Sequence, residues 1–129
     1  MRISIFLPHV GVFGGVRRFI ELGNAWVARG NAVTLYHPDG QPPEWLRFEG
    51  SVGPLDAAAN HSSDLAVCAD SRTFAAFRNH RARTHLYYCV LEGDQGLEQA
   101  MAQPDVFLAA NSSALRRTIA RRSGRLVLD

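Results

Sequence analysis

Lysine is missing altogether from this 129-residue chain: all fourteen of its basic residues are arginines. That absence excludes a Walker A lysine, a Schiff-base lysine and a Ser-x-x-Lys nucleophile together. A high-GC coding sequence is the simplest cause of such a bias, although arginine also favours planar, bidentate contact with phosphate or carboxylate. Cysteine is scarce as well. Cys68 and Cys89 lie far apart within apolar stretches, no Cys-x-x-Cys pair exists, and the five histidines have no metal-ligand spacing. Buried free thiols are therefore expected, and a metal site is not. No apolar run reaches the roughly 18 residues of a membrane span. Met1 to Pro8 has neither the basic start nor the cleavage site of a signal peptide, so cytoplasmic folding is the default expectation. The net charge of +2 is too small to argue for nucleic acid.

What is present suits one globular domain. A hydrophobic content of 47% with 20% charged residues is enough for a core and unlike a disordered chain. A chain of this size buries roughly two-thirds of its unfolded surface on folding. Arg2 to Pro8 is a short apolar run of the kind that fills a strand buried on both faces. A loop, His9 to Gly15, then leads into a helix expected from about Gly15 to Arg29. In that helix Val16, Phe19, Ile20, Gly23 and Val27 recur at helical spacing, and Gly30 stops it as a left-handed cap.

Further strands are expected at Ala32 to Tyr36, Asp64 to Ala69, Thr84 to Leu91, Asp105 to Ala110 and Arg125 to Asp129, with a weaker one at Leu46 to Phe48. Helices are expected at Arg72 to Asn79, from Gly96 to Ala102, and after the Asn111-Ser-Ser113 cap with Leu115 and Ile119 inward. Strands alternating with helices imply a doubly wound parallel sheet, a Rossmann-like three-layer α/β/α sandwich. Because the chain stops within or just after a strand, a longer parent protein is expected.

In open parallel sheets, ligands bind at the carboxyl ends of the strands near the point where strand order reverses. The residues placed there are His9 to Gly15, His37 to Asp39, Asp70-Ser71, Glu92 to Asp94 and Asn111 to Ser113. Gly14 and Gly15 are the sharpest signal. They would let a ligand approach the backbone, where free N–H groups and the helix dipole favour an anion. Arg17 and Arg18 follow in the first turns, where the dipole disfavours cations by ~0.3–1 kcal/mol. A bound phosphate would relieve that conflict. The plainer reading is a tight turn with both arginines in water. The spacing departs from the Gly-x-Gly-x-x-Gly dinucleotide fingerprint, and Tyr36-His37 replaces the acid expected at the second strand end, so NAD is disfavoured. His9 and His37 are placed to meet at the sheet rim, while His61, His80 and His85 are expected at surface or element-end positions. Arg116, Arg117, Arg121 and Arg122 form an outer helix face, ordinarily solvated, that would also suit peripheral contact with an acidic membrane.

Two stretches resemble a known family. Met1-Arg-Ile-Ser-Ile-Phe-Leu-Pro8 followed by Gly14-Gly-Val-Arg-Arg-Phe-Ile-Glu-Leu-Gly-Asn-Ala-Trp-Val-Ala-Arg-Gly-Asn-Ala-Val-Thr-Leu35 is similar to the opening of family 4 glycosyltransferases. Those begin with a strand, a Gly-Gly-Val-x-Arg loop, a helix ending in Arg-Gly-His and a Val-Thr-Val strand; Asn31 stands where that histidine is usual. Ala110-Asn-Ser-Ser-Ala-Leu-Arg116 is similar to an element near the end of the same domain, and Tyr87 to Asp94 resembles a strand end of polysaccharide transferases.

The resemblance implies the N-terminal, acceptor-side domain of a retaining, GT-B-type enzyme. Such a domain holds a sugar or glycolipid acceptor, and its glycine loop approaches the diphosphate of a nucleotide-sugar donor. The donor-binding half with its Glu-x7-Glu motif would lie outside these residues, and no metal or other cofactor would be needed. Gly14 and Gly15 would form the loop, with Arg17 or Arg18 near phosphate. The family's histidine after the central strand is replaced by Ala69-Asp70-Ser71, which leaves the catalytic residues unassigned. The alternative expectation is a non-catalytic Rossmann-like module that binds a phosphorylated metabolite or nucleotide.

Overall fold

A computed structural model of the chain describes residues 1–91 and 93–128. Along the chain run β1 (Arg2–Phe6), α1 (Gly14–Ala28), β2 (Ala32–His37), β3 (Ser51–Pro54), a 3-10 segment (Leu55–Asn60) and β4 (Ser62–Cys68). A 3-10 turn (Ser71–Thr73) leads into α2 (Phe74–Asn79), then β5 (Arg81–Cys89), α3 (Gln95–Met101), β6 (Val106–Ala110), α4 (Ser113–Ser123) and β7 (Val127–Leu128). Among the described residues the strands form one sheet, ordered β3-β2-β1-β4-β5-β6-β7, with every pairing parallel. The chain therefore winds outward from β1 to β3 and returns to place β4 on the other side of β1. This is the doubly wound, Rossmann-like fold, and its strand order reverses between β1 and β4.

Each face of the sheet has its own core. On one, Ile3, Ile5 and Leu7 meet Val33, Leu35 and Val67 beneath Val16, Phe19 and Ile20 of α1. On the other, Phe6, Cys68, Tyr87 and Leu108 pack under Phe77 of α2, Leu97 of α3 and Ile119 of α4. Strand side chains alternate between faces, so β1 must be apolar at consecutive positions to serve both cores. Fully burying each of these large side chains contributes about 1.5–3 kcal/mol. Gly30, at φ 92, follows α1 in the left-handed conformation that the sequence predicts. Cys68 and Cys89 are buried free thiols.

Two local expectations are corrected. Leu46 to Phe48 is no strand: Trp45, Leu46 and Phe48 pack against the α1 side of the sheet, covering it where a helix is usual. Asn24 anchors the segment by donating to the Arg47 carbonyl (2.9 Å) and accepting from the Glu49 amide (2.7 Å). Pairing with β2 begins only at Ser51, opposite Thr34. Of the histidines expected at surface or element-end positions, His80 does close α2 as its C-cap and His85 lies within β5, and both are buried. The His80 Nδ1–H donates to the Ala58 carbonyl at 2.8 Å, which leaves Nε2 to accept from the Ser63 hydroxyl, also at 2.8 Å. Ser63 Oγ in turn bonds Ser4 Oγ, so one buried chain of polar groups ties β1, β4 and the 3-10 segment to the end of α2. His85 Nε2 reaches the His80 carbonyl at 2.9 Å. Burial pushes the His80 imidazole below its usual pKa, keeping it neutral.

Candidate functional site

A cavity of about 280 Å³ opens at the carboxyl ends of β1, β4 and β5, at the reversal of strand order. His9, Phe13 and Gly15 form one side, Asp70 and Arg72 another, and Leu91 and Asp94 a third. The location follows from topology, because the connections after β1 and β4 leave on opposite faces of the sheet and part to leave a crevice.

Helix α1 starts over this cavity with unusual chemistry. Its N-cap is Phe13, whose side chain caps nothing, and its first turn contains no acid. The first N–H groups are thus without side-chain partners among the described residues. The two glycines behave unlike turn glycines. Among the described residues positive φ is confined to Gly30, Gly40 and Gly124, so Gly14 and Gly15 have backbone that any residue adopts. A Cβ on Gly14 would meet nothing within 4 Å, and on Gly15 only Phe13 Cδ1 at 3.9 Å. Neither the turn nor the protein's own packing requires glycine here. What the glycines preserve is open space above an uncapped helix end.

The polar groups around the cavity are fixed by their neighbours. The Gly11 amide donates to His9 Nδ1 at 3.0 Å, so a neutral His9 carries its proton on Nε2. Asp70 accepts from the Arg72 backbone N–H at 2.7 Å and from two guanidinium nitrogens at 3.0 and 3.1 Å. Partial burial raises the Asp70 carboxyl, but the Arg72 hydrogen bonds and charge, aided by His9, outweigh it and hold the pKa below the ordinary value. Asp94 accepts from the Tyr87 hydroxyl and, at 3.0 Å, from the Gly96 amide, capping α3. Burial, and then the Asp94 hydrogen bond and charge, push the Tyr87 phenol above its usual pKa. Burial likewise pushes the Cys68 thiol up to about 12, so it is inert beside the site.

The predicted site residues do not all converge. His9, Gly15 and Asp70 share the cavity. Gly14 and Arg17 line an adjoining shallow hollow with Trp45. Arg17 pairs with Glu21 at 2.9 Å, which offsets part of its conflict with the helix dipole, and Arg18 reaches the Tyr88 hydroxyl at 3.4 Å. His37 does not stand beside His9: it is buried, with Nε2 2.7 Å from the Gln41 carbonyl. Asn111 is exposed past β6, outside the cavity, and the α4 cap is Ser112, which accepts from the Leu115 amide at 3.2 Å. Glu92 lies outside the described residues. Sequence reasoning missed Arg72, and Asp94, expected on the rim, lines the cavity as the N-cap of α3. The Asp70-Ser-Arg72 spacing at a strand end was the available signal for Arg72. Among the described residues no group of three or more histidine, cysteine or acidic side chains is placed to hold a metal ion, and no helix is long and apolar enough to cross a membrane.

No family model matches the chain, and no curated protein matches it. Among solved structures, one from Vibrio parahaemolyticus, provisionally described as a transcriptional regulator protein, aligns over 100% of this chain and 76% of its own. With a TM-score of 0.48 and 9% identity, that likeness carries no argument about function.

Proposed function

We propose that this chain is the acceptor-side domain of a retaining glycosyltransferase, which moves a sugar from a nucleotide-sugar donor to a polysaccharide or glycolipid acceptor. The observation that carries the reading is the pair Gly14 and Gly15, whose conformation and surroundings give no internal reason for glycine at an uncapped helix N-terminus. In this reading the donor diphosphate lies over Gly15, where α1 amides donate to it and Arg72 faces it across the cavity. The His9 Nε2–H and the Asp70 carboxylate bind acceptor hydroxyls. The nucleotide itself is held by a second domain, as the family resemblance of the opening motif implies.

Gly15→Asp tests this cleanly. The new side chain has room, and an acid in the first helical turn is stabilising by about 0.3–1 kcal/mol. The variant is expected to melt at or above the wild-type temperature while losing affinity for pyrophosphate and UDP-, GDP- or dTDP-sugars. Equal affinity in the two proteins would refute the loop assignment.

A second reading is favoured by one observation. Both carboxylates that line the cavity among the described residues are already committed, Asp70 to Arg72 and Asp94 to Tyr87 and Gly96. That suits a non-catalytic module that binds a phosphorylated metabolite or nucleotide. Selective binding of simple phosphorylated metabolites over every sugar nucleotide would favour it.

A further inference from the structure

The opposite end of the sheet carries a second concentration of chemistry. The amino ends of β1, β4 and β5 border hollows of about 500, 400 and 320 Å³ that share Arg2 and Ser62. In the 320 Å³ hollow the lining is Arg2, Ala59, Asn60, His61, Ser62 and Arg81, which includes two cations, an imidazole and no acid.

Arg17, Arg72, Arg78 and Arg122 each pair with an acid, and Arg125 is folded onto backbone carbonyls from Ala100 to Val106. Arg2 and Arg81 have no acidic partner among the described residues. Arg29, Arg117 and Arg121 also lack an acidic partner among the described residues, but Arg2 and Arg81 line one hollow together. The one carboxylate nearby, Asp64, is occupied: it accepts from the Arg2 amide at 2.7 Å and faces the Arg83 guanidinium at 3.9 Å. Arg81 sits opposite Ser62 in the β4–β5 register, and Arg2 stands on the far side of β4. Two strand spacings across the sheet and a two-residue stagger along it separate their backbones by about 12 Å, a gap that two long side chains close around a tetrahedral ion. Two like charges facing one hollow repel unless an anion lies between them. Their planar forks, with the Ser62 hydroxyl and the Asn60 amide beside them, supply the donors that a phosphate oxygen array accepts.

We propose that this hollow binds a phosphate group, either free phosphate or the phosphate of a small monoester, between Arg2 and Arg81. It is a second anion site, about 20 Å along β4 from the cavity described above. It does not depend on the transferase reading.

The test is an amide-resolved NMR titration of the whole chain in low-salt buffer with inorganic phosphate and with glucose 1-phosphate, using chloride at matched ionic strength as control. Saturable shifts at Arg2, Ser62 and Arg81 are expected with both phosphates. Affinity should fall at least about tenfold in Arg81→Gln and in Arg2→Gln, the loss of one charge-assisted fork. Both side chains are exposed and free of ion pairs, so the variants keep the fold. Gly15→Asp should leave this binding unchanged, which separates the two sites. Tighter binding of inorganic phosphate would identify the free ion as ligand, and tighter binding of the ester a phosphorylated metabolite. No saturable shift, equal shifts with chloride, or affinity unchanged in both variants would overturn the proposal.

Discussion

Acidification below pH 6.5 should destabilise this protein through His80. The imidazole is 2% exposed and packs against the stacked Phe6 and Tyr36 rings, with centroids 5.4 and 6.1 Å away. It donates to Ala58 and accepts from Ser63, and the neighbouring His61 and His85 further oppose its charge. Its folded pKa lies below the unfolded value of 6.5, so the folded state binds fewer protons. The stabilisation from keeping it neutral is therefore complete above pH 6.5 and is lost as pH falls toward the folded pKa. The slope cannot exceed about 1.4 kcal/mol per pH unit for one proton, which bounds the loss between pH 6.5 and 5 at about 2 kcal/mol. That is a large share of a typical total of roughly 5–15 kcal/mol. Asp70 does not interfere. Its lowered pKa withdraws stability only as pH falls below about 3.8, outside this window. Urea unfolding at constant ionic strength, in wild type and His80→Gln, isolates the effect, because glutamine keeps one donor and one acceptor without titrating. Wild type should lose stability faster than the variant over this range. Parallel pH profiles for the two proteins would refute the reasoning.

Tyr87→Phe removes a buried donor to Asp94 and should cost about 1.5 kcal/mol, the low end for a bond to a half-exposed charge. Faster hydrogen exchange at the Gly96 amide should accompany the loss, and unchanged urea stability would contradict the assigned bond. Gly23→Val crowds the α1 seam, since even a Cβ would stand 2.8 Å from Phe48 Cε1 and 3.2 Å from Ile5 Cδ1. A cost of about 1–3 kcal/mol is expected. A Phe48→Ala background should relieve at least ~0.5 kcal/mol of it, and strict additivity would show that the two do not touch.

Much of the fold was legible because it rests on short-range pattern. Val16, Phe19, Ile20 and Gly23 declare the buried stripe of α1, and the largely apolar run of β1 declares a strand between two layers. The carboxyl-end site follows from topology alone, and His9, Gly15 and Asp70 fall in it. What stayed hidden depends on distant partners. His80 looks polar beside its arginine neighbours, but Ser4 and Ser63, 76 and 17 positions away, build it a buried niche. His37 turns inward because the Gln41 carbonyl folds back onto it, which no periodicity announces. Trp45 and Phe48 stand three apart, as on a helix, yet they plug the α1 face from irregular backbone. Arg81 to Arg83 extend β5 beyond its apolar stretch, with polar side chains at the solvent end of a central strand.

The central claim is that the uncapped start of α1 receives the diphosphate of a sugar nucleotide. It is tested most directly by following backbone amides while the chain is titrated with UDP-glucose, GDP-mannose and pyrophosphate. The account expects saturable shifts at Gly14, Gly15 and Val16, with further shifts at His9, Asp70 and Arg72, all abolished by Gly15→Asp. Shifts confined to other surfaces, or persisting undiminished in that variant, would contradict it.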